Sequence, residues 1–146
     1  MHPDFRKFIS DEDEIRILKA IAEAEKNTSG EIRVHLHRRG KADVYNNAVE
    51  TFEKIGMTKT ALRNGVLIYI DIDKKQFAVI GDKGIHEKVG KDFWEKITGI
   101  LQDYFKRGDY TGGLVEAIAE IGAQLKKYFP YQKDDINELP DEISYE

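Results

Sequence analysis

The chain has 146 residues and no cysteine. The absence of cysteine excludes thiolate zinc sites, thiol nucleophiles and redox motifs, and it leaves carboxylates, carbonyl groups and four histidines as metal ligands. No stretch approaches the roughly 20 apolar residues of a membrane span, and the first residues lack the apolar segment of a signal peptide. We therefore expect a soluble, cytoplasmic protein.

The chain also lacks a strong charge imbalance and the common catalytic motifs. Its net charge is −4, from 27 acidic and 23 basic residues, and no basic stripe alternates with aromatic residues as nucleic-acid binding requires. It contains no GxSxG, HExxH, Walker or kinase signature, so covalent catalysis has no visible candidate. We expect a monomer whose partner, if it has one, is another protein and not a nucleic acid.

The stretch Arg63–Gly84 predicts the centre of a sheet. Residues 66–70 form a continuous apolar run rich in β-branched and aromatic residues, which is typical of a strand covered on both faces. A second apolar stretch, residues 77–80, follows after only a few polar residues. Because this gap is too short for a helical crossover, the two strands should form an antiparallel hairpin.

The residues before this hairpin predict a β-α-β unit. Ser10 and the four acids after it predict the start of a helix that runs to about Lys26. Residues 31–37 alternate strictly, which predicts a strand with one polar face, on which we interpret His35 and His37 as solvated. A helical pattern over residues 44–55 then separates this strand from the hairpin. A helical crossover of this kind joins parallel strands, and it is right-handed in nearly all cases.

Two more helices are predicted after the hairpin, a long one following Gly90 and a last one over about residues 113–128. We therefore predict one domain, residues 5–129, and an acidic C-terminal tail, residues 130–146. The fold class is α/β: a three-layer α/β/α sandwich around a small mixed sheet, built from the β-α-β unit and the antiparallel hairpin.

The best candidates for chemistry are oxygen ligands at the strand ends, because Ca²⁺ and Mg²⁺ bind several converging oxygen atoms. Chain direction places Glu31, Asn64 and Asp82 along one edge of the sheet. Asp109 joins them only if the long helix after Gly90 lies obliquely on the sheet. We predict a divalent-cation site formed by Glu31, Asn64, Asp82 and Asp109.

A second, weaker candidate lies at the opposite edge. Asp71 and Asp73 flank the hairpin turn, on the same edge as Asp43. Strand alternation would point the two carboxylates the same way, about 7 Å apart. An acidic turn followed by two lysines is equally typical of an ordinary solvated hairpin.

The order of these elements resembles the TPM domain family over roughly residues 5–129. The resemblance depends on the N-G-V-L strand entry at residues 64–67, the glycine-bounded residues 81–84, and F-x-x-G-D-Y at residues 105–110. Many relatives have an aspartate where this chain has Arg63, and many have a signal peptide and a C-terminal membrane helix. The chain is most similar to a soluble, single-domain bacterial branch of the family.

The resemblance implies an α/β/α sandwich and, in some members, binding of a divalent cation. It leads us to expect a module that binds Ca²⁺ or Mg²⁺ and acts in binding or regulation, in protein quality control or assembly. The alternative is a metal-assisted acid phosphatase acting on phosphomonoesters, in which Asp82 or Asp71 would handle the proton or the attacking water. A purely structural partner-binding domain is the third possibility.

Overall fold

The computed structural model describes residues 5–40, 43–131 and 142–146. The helices of the described chain are α1 (Asp11–Glu25), α2 (Val44–Lys54), α3 (Lys83–His86), α4 (Lys91–Lys106) and α5 (Tyr110–Tyr128). Its strands are β1 (Glu31–His37), β2 (Gly65–Asp71), β3 (Gln76–Gly81) and β4 (Ser144–Tyr145). They form one sheet in the order β3-β2-β1-β4.

The predicted β-α-β unit and hairpin are confirmed. Strand β1 pairs with β2 in parallel, with Glu31 opposite Gly65 at one end and His37 opposite Asp71 at the other. Strand β3 returns antiparallel to β2, so that Gly81 comes back to the end of the sheet where β2 begins. The start of α1 is also as predicted, because the Ser10 side chain accepts the Asp13 N–H at 3.0 Å and Asp13 accepts the Ser10 N–H at 3.3 Å.

Strand alternation sorts the core into two parts and produces the predicted three layers. One face of the sheet packs against α1, α4 and α5, and the other packs against α2. The first face carries the buried aliphatic residues Ile32, Val34, Leu36, Val66, Ile68 and Ile70. The second face carries Leu67 and Tyr69, which α2 covers with Ala48 and Phe52. The fold is therefore an open α/β sandwich around a mixed four-stranded sheet.

Helix α4 runs along the whole of β3. Near its start, the Trp94 ring fills the space beside Gly81, where an added Cβ would lie 2.5 Å from the ring. Near its end, the Phe105 ring meets the Phe77 ring edge-on at 5.3 Å. The helix therefore crosses the sheet to the hairpin-turn edge, and α5 begins there.

The last five residues return to the sheet, which the sequence did not predict. Ser144 and Tyr145 pair in parallel with β1, and Ile143 is buried. Residues 132–141 of the predicted acidic tail lie outside the described residues. A strand of two residues is too short to show the alternation of apolar and polar residues by which strands are predicted, so the sequence did not indicate β4.

Among the helices of the described ranges, none is both long and apolar enough to cross a membrane.

Candidate functional site

Three of the predicted ligands lie along one edge of the sheet, as chain direction indicated. Glu31 begins β1 opposite Gly65, and the Glu31 N–H reaches the Asn64 carbonyl oxygen at 3.5 Å. The Asp82 N–H donates to the Gly65 carbonyl oxygen at 2.9 Å. Glu31, Asn64 and Asp82 are all buried.

The Asp82 carboxylate at this edge already has strong partners. Arg63 contacts both of its oxygens, Nε to Oδ2 at 2.6 Å and Nη2 to Oδ1 at 2.8 Å, and the Lys83 N–H donates to Oδ1 at 2.8 Å. The hydrogen bond to Asp82 raises the pKa of the Arg63 guanidinium. Arg63 thus supplies the cation at this edge.

Asp109 lies at the other edge. It caps α5, with Oδ1 accepting the Gly112 N–H at 2.9 Å. Because α4 spans β3, Asp109 is separated from Asp82 by the length of that six-residue strand, about 20 Å at 3.3 Å per residue. The structure brings together Glu31, Asn64 and Asp82 but not Asp109, and cation binding by this set stays a prediction.

Asp71, at the hairpin-turn edge, is fully buried. Its Oδ1 accepts the Lys74 N–H at 3.0 Å, whereas Oδ2 has no hydrogen-bond partner in the described part of the chain. Gly40 lies beside this oxygen and has no side chain to cover it. A Cβ at Gly40 would lie 2.5 Å from Asp71 Oδ2 and 2.7 Å from Asn47 Nδ2, so only glycine leaves the space beside the carboxylate open.

The other acids at this edge bind neighbouring groups. Strand β2 ends at Asp71, so Asp73 lies in the turn and not one strand position further along. Asp73 accepts the Arg39 N–H at 2.8 Å and lies 3.4 Å from Arg38 Nε. Asp43 caps α2 by accepting the Asn46 N–H at 2.9 Å. Of these three acids at the hairpin-turn edge, Asp71 holds the oxygen that has no hydrogen-bond partner in the described residues.

The interpretation of the β1 histidines as solvated is wrong for His35, which is buried, and His37 is half-buried. The C-terminal residues of the described chain cover the polar face of β1, because β4 pairs with β1. Arg33 Nη2 lies 3.0 Å from Glu142 Oε1, and His35 Nδ1 lies 2.7 Å from Ser144 Oγ. Both imidazole rings stack on Tyr69, at centroid distances of 5.3 and 5.6 Å.

The two imidazoles converge on Glu146. His35 Nε2 and His37 Nδ1 are 3.3 Å apart, and each lies 3.7 Å from Glu146 Oε2. Burial, reinforced by the neighbouring His37, lowers the pKa of His35 to about 4. A hydrogen bond from Lys54 lowers the pKa of Glu146. At neutral pH the cluster therefore combines a neutral His35 with a carboxylate. The alternating HLH of residues 35–37 was the only sequence signal for it.

A cleft of about 810 Å³ lies beside β3, at the same edge as the hairpin turn. Aromatic side chains line its apolar part: Phe8, Phe77, Phe105 and Tyr110. Lys7, Lys75 and Lys106 also line it. An apolar surface with lysines around it favours a ligand that is both apolar and anionic.

Comparisons with known proteins agree with this architecture. A family model described as the TPM domain matches residues 3–124. The chain is similar to the BA42 protein from the psychrophilic bacterium Bizionia argentinensis, whose NMR structure matches with a TM-score of 0.87. The two sequences are 48% identical, and the match covers 92% of this chain and 93% of that chain.

Two more distant structures are similar in fold alone. The N-terminal domain of a P. gingivalis protein is 18% identical, with a TM-score of 0.64 and coverage of 84% of this chain and 79% of that chain. The N-terminal domain of the cg2496 protein from Corynebacterium glutamicum is 13% identical, with a TM-score of 0.65 and coverage of 89% and 81%. Among curated proteins, none matches the chain.

Proposed function

The chain belongs to the TPM domain family, and from that premise we propose that it binds Ca²⁺ or Mg²⁺ at the hairpin-turn edge and acts as a binding or regulatory module. Asp71 carries the proposal. Its carboxylate is buried and has one oxygen, Oδ2, without a hydrogen-bond partner in the described residues. A buried charge needs a partner, and a hard cation is a suitable one for a carboxylate oxygen.

The surroundings of Asp71 suit such a cation. Gly40 keeps the space beside Oδ2 open, and the Asn47 side chain borders the same space. Asp43 and Asp73 lie at the same edge, where Asp43 accepts the Asn46 N–H and Asp73 accepts the Arg39 N–H. In contrast, Arg63 neutralises Asp82 at the opposite edge, where a cation would have to displace a guanidinium that contacts both carboxylate oxygens.

A cation at this edge would act on binding through the neighbouring cleft. Lys75 lines the cleft and lies, like Asp73, in the turn that follows Asp71. A cation held by Asp71 would fix this turn relative to the loop after β1. We infer that an acidic, partly apolar segment of another protein is the ligand of the cleft.

Calorimetric titration with Ca²⁺ and Mg²⁺ tests the cation. We expect saturable binding to the unchanged protein, its loss in Asp71→Asn, and its retention in Asp82→Asn. Asp82→Asn is the matched control, since it removes one buried carboxylate charge at the other edge. Retention of binding in Asp71→Asn with loss in Asp82→Asn would move the site to the Glu31, Asn64 and Asp82 edge. No saturable heat with either cation would refute the proposal.

A metal-assisted phosphatase is the second candidate, favoured by the lysines of the cleft. Lys75 and Lys106 line the cleft at the hairpin-turn edge, where they could neutralise a phosphate group. A generic phosphomonoester separates the two functions. Hydrolysis abolished both by a chelator and by Asp71→Asn would establish the enzyme, whereas cation binding without hydrolysis would support the binding module.

A further inference from the structure

We propose that His35, His37 and Glu146 form a second metal site, which takes a borderline divalent transition cation, with Zn²⁺ as the best fit. The site joins β1 to the C-terminal residues of the described chain. It differs in ligands and in metal class from the oxygen site proposed at Asp71.

The spacing of the three ligand atoms carries the proposal. His35 Nε2, His37 Nδ1 and Glu146 Oε2 form a triangle with sides of 3.3, 3.7 and 3.7 Å. Tetrahedral Zn²⁺ with bonds of about 2.0 to 2.1 Å holds its ligand atoms about 3.3 to 3.4 Å apart. The two distances to Glu146 Oε2 therefore need to shorten by only a few tenths of an ångström for the three atoms to bind the ion. Two imidazoles and one carboxylate leave a fourth position for water or another ligand.

The His35 ring is oriented by contacts behind it. Its Nδ1 lies 2.7 Å from Ser144 Oγ, which in turn lies 3.5 Å from the Val34 carbonyl oxygen. A chain in which Nδ1–H donates to Ser144 and Ser144 donates to Val34 leaves the Nε2 lone pair directed at the triangle. Metal-binding histidines commonly donate their second N–H in this way. The low pKa of His35, about 4, also keeps the imidazole neutral at physiological pH.

The two oxygens of the Glu146 carboxylate have different partners. Lys54 pairs with Oε1 of Glu146, while Oε2 faces both imidazoles. A monodentate bond from Oε2 therefore leaves the Lys54 ion pair intact. Arg33, the other cation near His35, is paired with Glu142 at 3.0 Å.

His37 separates this site from the proposed oxygen site. Its Cδ2 lies 3.6 Å from the position of a Cβ on Gly40, on the side of Asp71, whereas its Nδ1 faces His35 and Glu146. The two sites are neighbours with different ligand atoms. Nitrogen ligands favour Zn²⁺ over Ca²⁺ and Mg²⁺, so the two classes of cation distinguish them.

A metal here would fasten the C-terminal strand. Two backbone hydrogen bonds extend the pairing of β4 with β1 to Glu146. The Glu146 N–H donates to the Leu36 carbonyl oxygen at 3.0 Å, and the Arg38 N–H donates to the Glu146 carbonyl oxygen at 3.2 Å. A bond from Glu146 to an ion held by His35 and His37 adds a side-chain link. We therefore expect Zn²⁺ to slow hydrogen exchange at the Glu146 and Arg38 amides.

The test is Zn²⁺ titration by calorimetry at near-neutral pH, with Co²⁺ as a spectroscopic substitute. We expect one Zn²⁺ per chain, the visible absorption of tetrahedral Co²⁺, and imidazole nitrogen shifts at His35 Nε2 and His37 Nδ1. His37→Gln and Glu146→Gln should each weaken Zn²⁺ binding at least about tenfold. His86→Gln is the control, because His86 is exposed and outside the cluster, and it should bind normally.

The proposal would be overturned by no saturable Zn²⁺ binding, by binding unchanged in both His37→Gln and Glu146→Gln, or by imidazole shifts at His86 only. Asp71→Asn separates this proposal from the preceding one. It should abolish Ca²⁺ binding and leave one Zn²⁺ per chain. Loss of both metals in Asp71→Asn would show that Zn²⁺ occupies the oxygen site and would refute a separate histidine site.

Discussion

The Asp71→Asn variant should be more stable than the unchanged protein in the absence of Ca²⁺ and less stable than it in the presence of Ca²⁺. Asp71 is fully buried, and its Oδ2 has no hydrogen-bond partner in the described chain. The asparagine oxygen can still accept the Lys74 N–H that Asp71 Oδ1 accepts at 3.0 Å. The substitution therefore removes the charge of a buried carboxylate and keeps the shape of the side chain and its bond to the Lys74 N–H.

In a chelator we expect Asp71→Asn to raise the free energy of unfolding by about 1 to 3 kcal/mol, because an unsatisfied charged group costs more to bury than the neutral amide that replaces it. For a chain of this size, each kcal/mol raises Tm by about 2 to 4 °C. In Ca²⁺ at about 1,000 times Kd, the unchanged protein should gain about 4 kcal/mol from binding and become the more stable of the two.

Thermal unfolding of both proteins, in chelator and in Ca²⁺, measures the four midpoints. Asp82→Asn is again the control, and its Tm should rise in Ca²⁺ as that of the unchanged protein does. The reasoning is refuted if Asp71→Asn is the less stable protein in chelator and gains as much from Ca²⁺ as the unchanged protein.

Three further predictions concern the rest of the chain. Asp82→Asn should lower the urea midpoint of unfolding in chelator and Ca²⁺ alike, because it breaks the two-point contact with Arg63; an unchanged midpoint would contradict this. Ser10→Ala should lower the free energy of unfolding by about 1 kcal/mol, because it removes the side-chain cap of α1, and urea unfolding with Ser10→Thr as the retained cap measures the loss. Stability should fall as the pH drops from about 6.5 to about 4, because the folded His35 has a pKa of about 4 and the unfolded imidazole takes up a proton first. The full effect is about 3 kcal/mol, and His35→Gln should flatten the pH dependence of urea unfolding, whereas His86→Gln should not.

The fold was predictable because its main elements carry local signals. The apolar run of β2, the short polar turn after it and the capping acids of α1 each specify an element within a few residues. The parallel pairing of β1 and β2 followed from the helical crossover that joins them. Chain direction alone then placed Glu31, Asn64 and Asp82 at one edge.

The candidate sites depend on contacts that the sequence does not encode locally. The position of Asp109 depends on the course of α4 over β3, which is decided by the packing of Trp94 on Gly81 and Phe105 on Phe77. The histidine cluster needs Ser144 and Glu146, which lie 109 residues after His35 and His37 and sit in a strand of two residues. The sequence also did not indicate that Arg63 binds Asp82, because the two meet only when the hairpin places the start of β2 beside the end of β3.

The most direct test of the central claim is a Ca²⁺ titration followed by the amide NMR signals of the isotope-labelled protein. A cation at Asp71 predicts saturable shifts centred on Gly40, Asp71 and Asp73, with the amides of Glu31, Asn64 and Asp82 unmoved. Shifts centred on Glu31, Asn64 and Asp82, or no saturable shift, would contradict it.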